Sequence, residues 1–96
     1  MTLDDEPDAT MLANLRSALD HQPELGREAL RLMIETNAHA VEIYAGGVAM
    51  CEAAAETELD PSYAEERREH LAMLVGFRDR HRRILDELER ERERRA

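Results

Sequence analysis

The sequence has one cysteine, no tryptophan and no lysine among its 96 residues. A single cysteine cannot form an internal disulfide, which excludes a disulfide-stapled scaffold. No apolar run approaches the roughly 18 residues that a membrane-spanning helix needs. The first six residues, Met-Thr-Leu-Asp-Asp-Glu, also lack the apolar run of a secretory signal. Together these absences predict a cytoplasmic chain that does not associate with a membrane.

Glycine and proline are scarce as well, with four and three residues. Hydrophobic residues make up 43% of the chain and recur at spacings of three and four, which is typical of amphipathic helices and excludes a disordered polar chain. Each proline lies where a helix would begin, a position that proline favours. We therefore predict one all-α domain over residues 1–96, with helices at about 7–20, 23–57 and 61–94.

The second and third helices are expected to pack as an antiparallel hairpin, because only a short turn near Asp60 joins them. Either Asp60 or Ser62 can cap the start of the third helix. The register that follows places Gly47 opposite Leu74 and Ile43 opposite Phe77. Two neighbouring glycines inside a long helix indicate either close packing of the third helix or a kink.

Two adjacent apolar stripes run along the second helix. The main stripe includes Leu25, Leu32, Ile43 and Met50, and we expect it to face the third helix. The first helix is too short to cover the whole hairpin, so the second stripe should stay exposed. An exposed apolar stripe is typical of an association surface. The predicted interface residues are Leu30, Val41, Tyr44, Val48, Leu74, Phe77, Ile84 and Leu88.

These features predict a short N-terminal helix and a long antiparallel hairpin that completes a four-helix bundle as a homodimer. The alternative is a monomeric three-helix bundle with a frayed end. Residues 1–60 carry 13 acidic and 3 basic residues, which would repel nucleic acid. The basic cluster Arg78–Arg83 lacks aromatic partners for nucleic-acid bases, so we expect no nucleic-acid partner.

Histidines and carboxylates recur at helical spacing near the seam of the hairpin. His70 and His81 are three turns apart on one face, and His39 approaches His81 from the second helix. One interpretation is a divalent metal site for iron, manganese or zinc. A second is a pH-responsive interface, and a third is a set of polar seam residues that fix the register. The candidate metal ligands are Glu35, His39, Glu42, Glu66, His70 and His81.

Residues 32–44, followed after the turn by residues 65–70, resemble ferritin-like proteins, and among these the small encapsulated ferritins. That resemblance implies a helical bundle that binds iron. In the family, a glutamate lies seven residues before the tyrosine and Glu-x-x-His follows on the second helix. This chain has Asn37 and Arg67 at those positions, so no ligand is carried over from the family.

The sequence therefore predicts a function in protein–protein interaction. We expect a non-enzymatic adaptor, regulatory or small structural or cargo subunit, whose partners are a second copy of itself and another protein. No enzyme signature is visible in the sequence. The alternative is a carboxylate and histidine metal-binding bundle.

Overall fold

A computed structural model describes residues 6–57 and 61–96, and this part of the chain is entirely helical apart from short connections. Its dimensions are 58 × 22 × 18 Å. The prolines at 23 and 61 begin helical segments, as predicted, while the predicted turn at residues 58–60 lies outside the described residues. The elements are α1 (Glu6–His21), α2 (Pro23–Thr57), a 3-10 turn (Pro61–Tyr63) and α3 (Ala64–Arg94).

The start of α3 differs from the predicted cap. Its N-cap residue is Tyr63, whose own side chain makes no capping hydrogen bond. Ser62 lies inside the preceding 3-10 turn and is therefore not the cap of α3. Asp60, the other candidate, lies outside the described residues.

The corner between α1 and α2 consists of one non-helical residue, Gln22. Its backbone N–H donates to Ala18 O at 2.7 Å, and the Gly26 N–H donates to Gln22 O at 2.9 Å. A corner this tight presses the first turn of α2 against the last turn of α1. A Cβ atom on the buried Gly26 would lie 2.7 Å from both Leu19 Cα and Leu19 N. Only glycine fits this position without movement of the backbone.

The hydrophobic core lies at one end of the molecule, where all three helices run side by side. We call this part the three-helix end. Leu88 is completely buried there. Beyond α1, only α2 and α3 remain, and we call that part the two-helix end. The core cluster consists of Leu12, Leu15, Leu19, Leu30, Ile34, Ile84 and Leu88.

Among the described residues, three ion pairs join α1 to α3. They join Asp8 to Arg80 at 2.8 Å, Arg16 to Glu91 at 3.0 Å and Asp20 to Arg95 at 2.8 Å. Because the residue numbers increase together on both helices, α1 runs parallel to α3. The first helix therefore begins near the middle of the hairpin and ends beside the C-terminus of α3.

The register between α2 and α3 is read from two contacts. A Cβ on Gly47 would lie 3.3 Å from Leu74 Cδ1, and the Tyr44 and Phe77 rings are 5.4 Å apart. The predicted pairing of Gly47 with Leu74 is confirmed, and α2 continues as α-helix through both glycines. The pairing of Ile43 with Phe77 is wrong, since Tyr44 occupies that place. One residue along a helix is a rotation of about 100°.

The structure also reverses the predicted roles of the two stripes of α2. Leu30 and Val48 of the second stripe are buried within a single chain, as are Ile84 and Leu88 of α3. The expectation that the second stripe stays exposed is wrong, because α1 and α3 together cover it. Of the other predicted interface residues, Val41, Tyr44 and Leu74 are half-buried, and Phe77 is exposed.

Candidate interaction surface

The large apolar side chains of the main stripe of α2, which were expected to face α3, lie on the outer surface instead. Leu25 is 61% exposed, Leu32 48%, Ile43 56% and Met50 75%. We call these four residues the α2 stripe. Thr36 and His39, which lie between them along the helix, are also exposed. At 1.5 Å per residue the stripe extends for about 37 Å.

An apolar groove between α1 and α2 borders the first part of this stripe. Leu25 belongs both to the stripe and to the groove wall, so the two form one continuous apolar surface. The other apolar residues that line the groove are Met11, Leu15, Ala18, Ala29 and Met33.

The two-helix end exposes further apolar side chains on α3. Met73 is 46% exposed and Phe77 39%. Both lie on the part of α3 that precedes the Asp8–Arg80 ion pair, where α1 begins. This part of the hairpin is thus left without the helix that covers its other end.

His81 is a hydrogen-bonded member of the seam between α2 and α3. The Asn37 side chain is buried, and its Nδ2 donates to Met33 O at 2.8 Å. Its Oδ1 is therefore free to accept from His81 Nδ1 at 2.9 Å, which assigns a proton to that nitrogen. The imidazole also stacks on Tyr44 with a centroid distance of 5.5 Å and an angle of 16°. This arrangement favours the interpretation of His81 as a polar residue that fixes the register.

The contact between Asn37 and His81 was not predicted, and in the sequence Asn37 stood out only as a departure from the ferritin-like pattern. A signal was present, because an asparagine in an otherwise apolar part of α2 needs a buried partner. Helical register then places it near the level of His81.

The other candidate metal ligands lie on the surface. His39, Glu42, Glu66 and His70 are exposed, and exposed Glu35 accepts from Arg31 at 2.8 Å. Over residues 6–57 and 61–96, no three His, Cys, Asp or Glu side chains are grouped so that they could hold a metal ion. The metal site stays a prediction, which elemental analysis of the purified protein would test.

Within residues 6–57 and 61–96, the carboxylate with the largest pKa shift is that of Glu91, at the three-helix end. It is 3% exposed and accepts hydrogen bonds from Arg16, Arg94 and Arg95. Burial raises the pKa of Glu91, but the three guanidinium groups outweigh it and lower the pKa to about 2. Asp8 shows the same pattern more weakly, since its hydrogen bonds to Arg80 lower its pKa despite burial. Both carboxylates stabilise the position of α1 on α3.

Comparison with known proteins finds no protein family, no curated protein and no solved structure that matches this chain significantly. No helix within the described residues combines the length and apolar character needed to cross a bilayer. The function is therefore argued from the exposed surfaces themselves.

Proposed function

We propose that this chain is a protein–protein interaction module, an adaptor, regulatory or small structural subunit that acts through the outer face of its helices. It works as a homodimer in which the two hairpins, each made of α2 and α3, form a four-helix bundle. The same assembly offers its remaining surface to another protein. Catalysis is not part of this proposal.

The observation that carries the proposal is the exposure of the α2 stripe. Four large apolar side chains are between 48% and 75% exposed on a single helix, and they follow one line along it. Isolated exposed apolar residues are ordinary on a monomer, but four large ones aligned on one helix mark an association surface. Covering such side chains contributes about 25 cal/mol for each Å² removed from water.

Two further features agree with the proposed setting. Cys51 is unpaired, which suits a reducing compartment such as the cytoplasm. The formal net charge of −9 disfavours nucleic acid and anionic membranes as partners.

Sedimentation equilibrium over a range of protein concentrations tests the proposal. We expect the apparent mass to rise from 11.0 kDa to twice that value as the concentration increases. A chain that remains monomeric at about 100 μM would contradict self-association, because the dissociation free energy would then be below about 6 kcal/mol.

A further inference from the structure

We propose that the second copy docks antiparallel along the α2 stripe, around a two-fold axis that passes between Asn37 and Ala38. This inference rests on the proposed homodimer and specifies its interface. It replaces the interface expected from the sequence, whose residues Leu30 and Val48 are buried within one chain.

The positions of the four stripe residues along α2 are symmetric about that axis. Leu25 and Met50 are equally far along the helix from the Asn37–Ala38 peptide, and so are Leu32 and Ile43. An antiparallel copy therefore places Leu25 against the partner's Met50 and Leu32 against the partner's Ile43. A two-fold interface requires this kind of self-complementary surface, since the same patch serves both subunits.

The spacing also suits two long helices packed together. Leu25 and Leu32 are seven residues apart, as are Ile43 and Met50. A seven-residue repeat keeps apolar side chains on the seam between two helices that coil around each other. The stripe has this repeat on both sides of the proposed axis.

Gly46 supplies a second, independent observation. It lies inside α2 and is exposed, and no other described part of the chain comes within 4 Å of the position that a Cβ would take, apart from its chain neighbours and the nearby backbone of α2. A glycine in a helix interior costs about 1 kcal/mol relative to alanine, and no contact among the described residues explains it. In the proposed dimer Gly46 lies opposite the partner's Ala29, and two small residues allow the helices to approach closely.

Charge along one edge of the stripe opposes the association and must be offset. Glu28, Glu35 and Glu42 follow that edge, and antiparallel packing brings Glu42 toward the partner's Glu35. Arg31 binds both Glu28 and Glu35, the latter at 2.8 Å, which reduces this repulsion. A basic amphipathic helix of another protein is the competing occupant of such a surface, and binding of a basic helical peptide by the monomer would distinguish it from a second copy.

The two-fold axis also accounts for the exposed side chains at the two-helix end. The first helix packs on the side of α2 that carries Gly26, and Gly47 lies on the same side of α2. In an antiparallel pair these sides of the two copies face one another. The partner's α1 is thereby brought beside Met73 and Phe77, which this chain's own α1 does not reach.

Charge substitutions on the stripe test the surface. Leu32→Asp and Ile43→Asp are expected to weaken dimerisation at least about tenfold, because each carboxylate would be buried opposite an apolar residue. Both side chains are half exposed in the single chain, so helicity by circular dichroism should stay unchanged. Tyr63→Asp is the matched control, since Tyr63 is 53% exposed but lies outside the stripe. Equal dimerisation of all three variants and the wild-type protein would overturn the inference.

Distances between spin labels test the orientation and register. In a Cys51→Ala background, Glu35→Cys and Ala49→Cys each provide one exposed labelling site per chain. The antiparallel register separates the two copies along the axis by about 8 Å at position 35 and about 35 Å at position 49, at 1.5 Å per residue. A parallel dimer would give similar short distances at both positions.

The outcomes distinguish this inference from the broader proposal. Dimerisation of the wild-type protein, together with equal distances in the variants labelled at positions 35 and 49, would overturn the docking mode and leave the homodimer intact. Wild-type protein that stays monomeric would overturn both. A monomer whose stripe binds a basic helical peptide, with binding lost in Leu32→Asp, would assign the surface to that other occupant and contradict the second copy.

Discussion

Gly26 packs so closely against Leu19 that a Cβ at Gly26 would lie within 2.7 Å of the Leu19 backbone. The Gly26→Ala substitution must therefore push α1 away from α2 at their corner. We expect it to lower the free energy of unfolding by about 1–3 kcal/mol, the usual range for overpacking. Urea denaturation followed by circular dichroism measures the change.

Gly76 provides the control for this experiment. It lies in α3, is exposed, and has open space where a Cβ would stand. Gly76→Ala should stabilise the protein by up to about 1 kcal/mol, because alanine favours the helix more than glycine does. Destabilisation of the same size in both variants would contradict the role assigned to Gly26.

Stability should depend on pH through Glu91. Its pKa is lowered to about 2 in the folded protein, so the folded state binds fewer protons than the unfolded chain. The stabilisation is then fully present above pH 4.5, the ordinary value, and is lost as the pH falls toward 2. We expect a loss of the order of 2 kcal/mol over that interval, measured by thermal unfolding at successive pH values.

Glu91→Gln should remove most of this pH dependence and destabilise the protein at neutral pH, since three arginines lose their shared carboxylate. Glu93→Gln is the matched control, because Glu93 lies on the same helix and is exposed. If the unfolding profiles of the wild-type protein and Glu91→Gln stay parallel between pH 4.5 and pH 2, Glu91 is not the group responsible.

The four histidines should differ in their importance for stability. His81→Ala removes the hydrogen bond to Asn37 and the stacking contact with Tyr44. We expect a cost of about 1–3 kcal/mol, most of it from the unsatisfied buried Asn37. His70→Ala changes an exposed residue and should stay within about 0.5 kcal/mol of the wild-type protein. Equal effects of the two substitutions would remove the distinction between His81 and the surface histidines.

Salt should strengthen the dimer. Glu42 approaches the partner's Glu35 across the proposed interface, and dissolved ions screen repulsion between exposed charges. The dimer dissociation constant is therefore expected to fall when sodium chloride is added. Glu42→Gln should tighten the dimer at low salt and reduce this salt response. A dissociation constant that rises with salt in sedimentation experiments would point to attractive charges at the interface instead.

The helices were predictable because local signals determine them. Pro23 and Pro61 begin helical segments, and the spacing of apolar residues carries α2 without interruption to Thr57. The assignment of its two stripes was not predictable in the same way. Both stripes are apolar and adjacent, and periodicity does not say which one faces a neighbour. The packing of α1 and α3 against α2 decides this, since Leu30 is buried while Leu32 lies outside.

Contacts between residues of different helices were the hardest to predict. The pairing of Asn37 with His81 depends on a register in which one residue corresponds to a rotation of about 100°. The sequence drew attention to the glycine pair, of which Gly47 proved to be in close contact. The sequence did not reveal the role of Gly26, which depends on the single-residue corner between α1 and α2. The ion pairs of α1 with α3 likewise depend on their parallel packing.

The uneven core has a consequence for local unfolding. Amide hydrogens near Leu88 can exchange with solvent only when the whole core opens, whereas those near Val48 are protected by two helices alone. Protection factors should therefore decrease steadily from one end of the molecule to the other. If a second copy covers the two-helix end, the amides of that end should exchange more slowly in concentrated samples than in dilute ones. Exchange near Leu88 should change less.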